Sequence, residues 1–297
     1  MNVRKASVAG RFYSGNRERL TREIEGCFLH RLGPGFLPQK QVGEKDGFTT
    51  IGVVAPHAGY LYSGHIAAHS YARMVKNGFP DCIVIIGPNH TGYGAGISCL
   101  SQGVWETPLG KIEVDSEIGT ALCGDVAADD ELGHAYEHSI EVQLPFIQYL
   151  AARFGSAFTF VPICMGLQDY EDARKVGTAI AGIIRKEKRK IAVVASSDLN
   201  HVGPNYMAPA PHGTEVGDWI REQDIKAVER ILALDAKGLA DTVYREKLSV
   251  CGYGPIAAML VAMNGVGAKK AELLKYSTSL DIQPSDSAVG YASIAVE

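Results

Sequence analysis

The chain has no CxxC pair and no dense cysteine framework. Its six cysteines, at 27, 82, 99, 123, 164 and 251, are scattered. That excludes a small fold stapled by disulfides and reads instead as reduced thiols in a cytosol, most of them small core residues. No apolar run reaches the ~18 residues expected of a membrane-spanning helix. Residues 1–11 carry basic side chains without the apolar core of a signal peptide. The expected location is the cytoplasm, with no membrane partner. Nor does one sign of charge dominate, since 29 Lys and Arg stand against 33 Asp and Glu, a formal net charge of −4. The densest basic run, RKEKRK at 185–190, falls at an expected helix end, where cations suit the dipole. Nucleic acid is therefore not an expected partner.

What is present is ordinary for a globular protein: 297 residues, 46% hydrophobic and 21% charged. A chain this long buries most of its unfolded surface and needs no metal merely to fold. A metal site, if it has one, would serve function. Short β-branched runs alternate with segments of helical period, the pattern of an α/β domain. Strands are expected at 51–55 (IGVVA), 82–86 (CIVII), 158–163 (FTFVPI) and 191–195 (IAVVA). Such continuous apolar runs suit central strands covered on both faces. Helices are expected at 65–75, 140–154, 170–185 and 217–234, and an apolar helical run at 256–263. Residues 96–115 read as a hairpin or excursion around Thr107-Pro108-Leu109-Gly110, and 272–280 and 289–296 as two antiparallel closing strands. Residues 33–47 and 204–213, the latter with three prolines, read as loops, the second placed where a lid would be. With no repeat and no linker, one domain over 1–297 is expected.

Three of those strands end in histidine. IGVVA runs into Pro56-His57-Ala58-Gly59, CIVII into Gly87-Pro88-Asn89-His90, and IAVVA into Ser196-Ser197-Asp198-Leu199-Asn200-His201. In open α/β sheets, ligands bind beyond the carboxyl ends of the strands. If the strands are parallel, His57, His90 and His201 project to one rim, and imidazole is the commonest metal ligand. Cys251 precedes the apolar run at 256–263, and amide dipoles at a helix start favour the thiolate. A buried core cysteine is the plainer alternative. His65 and His69 share a helix face at a spacing that usually just packs.

His134-Ala135-Tyr136-Glu137-His138 fits H-x-x-E-H, the inverted zinc-protease pattern, which needs all five residues in one helix. Here apolar periodicity begins only at Ile140. A helix is expected from about Glu137, with His134 in a loop, Glu137 as a first-turn acid and His138 free to face the pocket. Cys251, His201 and Asp198 could also be drawn as nucleophile, base and orienter.

The segments Ala9-Gly10-Arg11-Phe12-Tyr13, Ala55-Pro56-His57-Ala58-Gly59-Tyr60, Gly87-Pro88-Asn89-His90, Glu137-His138-Ser139-Ile140-Glu141, Ser196-Ser197-Asp198 with His201, and Cys251-Gly252 resemble the Memo family. That family includes the mediator of cell motility and the AmmeMemoRadiSam system protein B. The resemblance spans nearly the whole chain. It implies a fold similar to the class III extradiol dioxygenases (LigB-like), a three-layer α/β/α sandwich around a mixed, largely parallel sheet. It also implies His57, His90 and Cys251 as ligands of one metal ion, iron by preference, with copper or zinc as alternatives. His201, Asp198 and His138 would stand around them as catalytic groups. The function so implied is that of a metal-dependent redox enzyme acting on a small molecule, dioxygenase-like. The alternatives are a non-enzymatic adaptor binding a peptide or small ligand in the same pocket, and a zinc hydrolase working through His134–His138.

Overall fold

The computed structural model of the chain describes residues 3–40, 48–124 and 126–297. The expected loop at 33–47 lies partly outside them. The centre of the molecule is a nine-stranded mixed sheet. Ile51–Ala55, Ile191–Ser196, Cys82–Pro88 and Thr159–Met165 run side by side in that order, all parallel. Ala288–Val296 lies antiparallel beside Ile51–Ala55, and Ala271–Thr278 pairs with its other edge. Ile97–Cys99 and Ala128–Asp129 extend the sheet beyond Thr159–Met165.

The expected strands were legible because both faces of the sheet are buried. Alternate residues serve opposite layers: Val53, Ala55, Ile83, Ile85, Ala192 and Val194 pack beneath the helices Arg17–Leu29, Tyr60–Met74 and Leu144–Phe154. Val54, Val84, Ile86, Val193 and Ala195 pack beneath Tyr170–Lys186, Val216–Leu232, Ala236–Glu246 and Tyr253–Gly265. The architecture is thus α/β with helices on both faces of a large mixed sheet. A hairpin, Val104–Thr107 with Gly110–Glu113, turns where expected but leaves the main sheet to pair with Val3–Arg4. Among the described residues no helix is long and apolar enough to cross a membrane.

Two boundaries differ from expectation. The helix expected at 65–75 begins at Tyr60, directly after Gly59. The helix expected from about Glu137 begins only at Leu144, after a 3-10 turn at Glu141–Gln143. The cause of the second is Glu137, whose Oε1 accepts the backbone N–H groups of both His138 and Ser139 at 2.8 Å. A side chain that bonds its own neighbouring backbone offers an alternative to the helix. His134, expected in a loop, sits in the four-residue helix Leu132–Ala135.

Candidate metal centre

The three adjacent parallel strands open at one rim, as the crevice rule requires. His57 follows Ile51–Ala55 and is buried; His90 follows Cys82–Pro88 and remains half-exposed. Their rings meet edge-on with centroids 5.1 Å apart. Cys251 comes from a distant part of the chain. Gly252 packs so closely on Ser196 and Ser197 that a side chain there would strike the Ser196 carbonyl and the Ser197 side chain. Its N–H donates to Ser197 Oγ at 2.9 Å. That approach sets Cys251 Sγ 3.1 Å from His57 Nε2. One ring nitrogen each of His57 and His90 and the Cys251 sulfur all lie within 4.8 Å of one another.

The hydrogen bonds decide which nitrogens are free. Ser196 Oγ donates its only proton to the Ser139 carbonyl at 2.6 Å and accepts from Gln143 Nε2 at 2.9 Å. The Gln143 amide is itself oriented by the Tyr71 hydroxyl, which donates to its oxygen. His57 Nδ1, 2.8 Å from Ser196 Oγ, must then carry the proton and donate it. Its Nε2 is left with a lone pair toward Cys251. His90 Nδ1 lies 3.0 Å from the Glu137 carboxylate, which only accepts, so Nδ1 carries a proton and, in the neutral ring, Nε2 holds the lone pair. Metal-ligating histidines tie their outer nitrogen in this way.

The protonation states bear on what the centre can hold. Burial, followed by the neighbouring histidines, holds His57 well below the usual imidazole range, so its ring is neutral. Burial first, then the Asp198 charge, pushes the Cys251 thiol up. The expected thiolate at the helix start is thus not favoured by the protein alone, since burial and the Asp198 charge both oppose it. Burial also raises Asp198. Two groups disfavoured as anions, beside two bare imidazole nitrogens, fit a metal ion, which deprotonates a coordinating thiol outright.

A second cluster, His90, Glu137 and His138, also lies within 4.8 Å. Its carboxylate is already saturated. Glu137 Oε2 accepts from His90 N at 2.6 Å, while Oε1 faces His90 Nδ1, His138 Nδ1 at 3.3 Å and two backbone donors. These partners hold the Glu137 carboxyl down at about 2 despite its burial. The cluster therefore buttresses His90 and competes poorly as a ligand set. His138 stacks on His90 with centroids 4.6 Å apart and is held down to about 4 by burial.

One expectation needs correction. Asp198 does not hydrogen-bond to His201; its Oδ1 accepts the backbone N–H groups of His57 and Ala58 at 2.8 and 3.3 Å. His201 is held by Ser249, which accepts its backbone N–H at 2.8 Å and lies 3.3 Å from its Nδ1 through the carbonyl. Tyr206 meets the His201 ring edge-on at 5.1 Å. As expected, the H-x-x-E-H pattern is not one helix, because Leu132–Ala135 ends before Glu137 and the next helical turn begins at Glu141. His134 lies apart, buried edge-on against Trp105 at 5.8 Å. It borders a different cavity of about 560 Å³ lined by Arg4, Trp105 and Tyr136 among others. Sequence reasoning missed Ser196 as the partner of His57, Glu137 as the partner of His90, and the roles of Gln143 and Ser249. Ser196 and Glu137 stood inside quoted motifs, whereas Gln143 and Ser249 carried no signal of their own.

Comparison with known proteins identifies the family. Residues 4–295 match the family model described as "Memo-like protein". The chain is 47% identical over 296 residues to "MEMO1 family protein MK0963" of Methanopyrus kandleri, covering 98% of each chain. It is 44% identical over 298 residues to a "MEMO1 family protein" of Methanosarcina acetivorans, covering 100% of each. To "MEMO1 family protein MJ0403" of Methanocaldococcus jannaschii it is 44% identical over 302 residues, covering 99% of each. A solved structure, an uncharacterized protein from Escherichia coli K12, superposes with a TM-score of 0.47 at 12% identity over 84% of this chain.

Proposed function

Because the chain belongs to the Memo-like protein family, we propose that it is a metal-binding protein whose ion is held by His57, His90 and Cys251. One observation carries this reading: Ser196 and Glu137 fix the outer nitrogens of His57 and His90, which leaves two imidazole lone pairs beside a thiol. Two imidazoles and one thiolate suit Fe(II), with copper and zinc as alternatives. When bound, such an ion would supply open coordination positions for a small-molecule substrate.

The surrounding residues have separate tasks in this reading. His201, with Nδ1 toward the Ser249 carbonyl, keeps Nε2 as a proton acceptor and moves a proton to or from substrate. Asp198 sets the turn carrying His57 rather than orienting His201. His138 closes one wall by stacking on His90 and Phe12, the latter at 4.8 Å. The proposed activity is a metal-dependent oxidoreduction of a small molecule in the cytoplasm.

The test is metal content by mass spectrometry on protein purified anaerobically without chelator. Near-stoichiometric iron, copper or zinc, lost in His57→Ala, supports the centre. A metal-free protein that also resists reconstitution with all three sinks it. Once a turnover assay exists, unchanged turnover in His201→Ala would remove the proton-transfer role alone.

A further inference from the structure

His201 opens a two-residue strand, His201–Val202, that pairs antiparallel with Ala288–Val296. Its ring bonds to the Ser249 carbonyl, and what holds Ser249 in turn is Asn200. Asn200 is buried, and each of its polar groups has a partner. Its Oδ1 accepts the Ser249 N–H at 2.7 Å, and its Nδ2 donates to Asp224 Oδ1 at 2.8 Å. Its own N–H donates to the same Asp224 oxygen at 2.8 Å, and its carbonyl accepts the Gly290 N–H at 2.9 Å. Because Oδ1 faces an N–H and Nδ2 faces a carboxylate, the amide has a single orientation.

Asp224 is equally built in. It lies on the helix Val216–Leu232 and is fully buried, with Oδ2 accepting from the Tyr276 hydroxyl at 2.7 Å. That helix meets the sheet here only because residue 290 is glycine, since a Cβ there would lie 1.8 Å from Asp224 Oδ2. Burial raises the Asp224 carboxyl to about 6, opposed by the bonds from Asn200 and Tyr276. A carboxylate is costly to bury unless it is hydrogen-bonded, and both oxygens are occupied in orienting Asn200 and meeting Tyr276.

We propose that Asn200, oriented by Asp224, is a positioning residue for His201: by fixing Ser249 it keeps the proton of the neutral ring on Nδ1 and the lone pair on Nε2. This role rests on the reading of His201 as the group that moves a proton, and adds what sets its tautomer. An imidazole tautomer is decided by the bond that the other ring nitrogen makes. Here that bond is 3.3 Å long, just beyond the usual N–H···O range, so a small displacement of Ser249 breaks it. The Ser249 hydroxyl cannot substitute, because it meets only the His201 backbone, accepting the N–H at 2.8 Å and donating to the carbonyl at 3.1 Å. Ser249 also stands two positions before Cys251, so one amide joins the segments that carry His201 and Cys251.

The experiment records nitrogen NMR spectra of the full, metal-free chain with isotope-labelled histidine. At a pH of about 8.5 histidine is neutral, and Asp224, raised to about 6, is ionised. The His201 signals are those missing from His201→Ala. Wild type should show a protonated Nδ1 and a bare Nε2. In Asn200→Ala the two signals should shift toward each other as Nε2 takes a share of the proton. Asp224→Asn keeps an oxygen for both Asn200 donors and lets the Tyr276 hydroxyl accept, so it should retain the wild-type pattern. Tyr276→Phe removes a bond to the other Asp224 oxygen, so it should lower the thermal midpoint and still retain the pattern. A purely structural role predicts instead that the pattern follows thermal stability across the variants. An unchanged pattern in folded Asn200→Ala overturns the proposal, as does a wild-type ring protonated on Nε2. Loss of the pattern in Asp224→Asn or Tyr276→Phe overturns it too. If Asn200→Ala does not fold, Asn200→Ser, whose hydroxyl is too short to hold the Ser249 N–H, takes its place. Because the protein measured is metal-free, this result and the metal content fail or succeed separately.

Discussion

His57 and His134 are both buried histidines, yet they differ in everything that matters for chemistry. At His57 both ring nitrogens have defined partners, Ser196 Oγ at 2.8 Å and Cys251 Sγ at 3.1 Å. At His134 neither nitrogen meets a partner with hydrogen-bond geometry. Burial depresses both rings, His134 down to about 3. A depressed imidazole is thus no sign of a site by itself. The sign is a fixed tautomer with its lone pair aimed at other donors.

The comparison breaks most sharply on metal binding. His57→Ala should weaken affinity for the preferred ion by more than about 100-fold, beyond the loss typical of a supporting residue. His134→Ala should leave it within about twofold of wild type. Isothermal titration of the apo protein under anaerobic conditions measures both. A loss confined to His134→Ala would mean that the His134 pocket, not the strand-end rim, holds the ion.

The next largest effect concerns acid stability. The Glu137 carboxyl is depressed to about 2, so its contribution is fully present above the unfolded value of about 4.3 and disappears as pH falls toward 2. The contribution is about 3 kcal/mol from the size of that shift. Urea unfolding of wild type and Glu137→Gln between pH 2 and 7 should converge in acid and separate above pH 4.5. Parallel curves would show that the carboxylate is not held by His90 and His138 as described.

A smaller loss is expected for metal affinity in the same variant. The neutral amide of Glu137→Gln still accepts from His90 Nδ1 but no longer raises its basicity, which should cost about 10-fold to 100-fold. The smallest effect belongs to His134→Leu. A histidine lowered to about 3 keeps its share of stability above the unfolded value of about 6.5 and loses it as pH falls. Leucine removes that sensitivity. The variant should match wild type within about 1 kcal/mol at pH 7 and exceed it by about 2 kcal/mol at pH 5. Thermal denaturation at the two pH values reads the difference.

Much of this was legible in residue order. The strand-end histidines could be placed on one rim because apolar runs such as IGVVA and IAVVA admit few arrangements other than central parallel strands. Other elements were overlooked although a signal existed. In Arg17–Leu29 the buried Leu20, Ile24, Cys27 and Phe28 recur at helical spacing, and Asn16 caps the start by accepting from Arg19 N at 3.0 Å. The late start of the helix at Leu144 was not legible, because it depends on Glu137 bonding to its own backbone while also receiving His90 from another strand.

The sequence by itself determined the α/β layering, the family and the residue types at the strand ends, since hydrophobic period and short motifs are local properties of a chain. Tertiary structure alone decided that Cys251 reaches His57, that Ser249 rather than Asp198 holds His201, and that His134 stands apart from His138. Those outcomes rest on contacts between residues tens to nearly two hundred positions apart, and on single backbone approaches such as that of Gly252. Hydrogen bonds act over about 3 Å with strict direction, so no periodicity in the sequence can announce them.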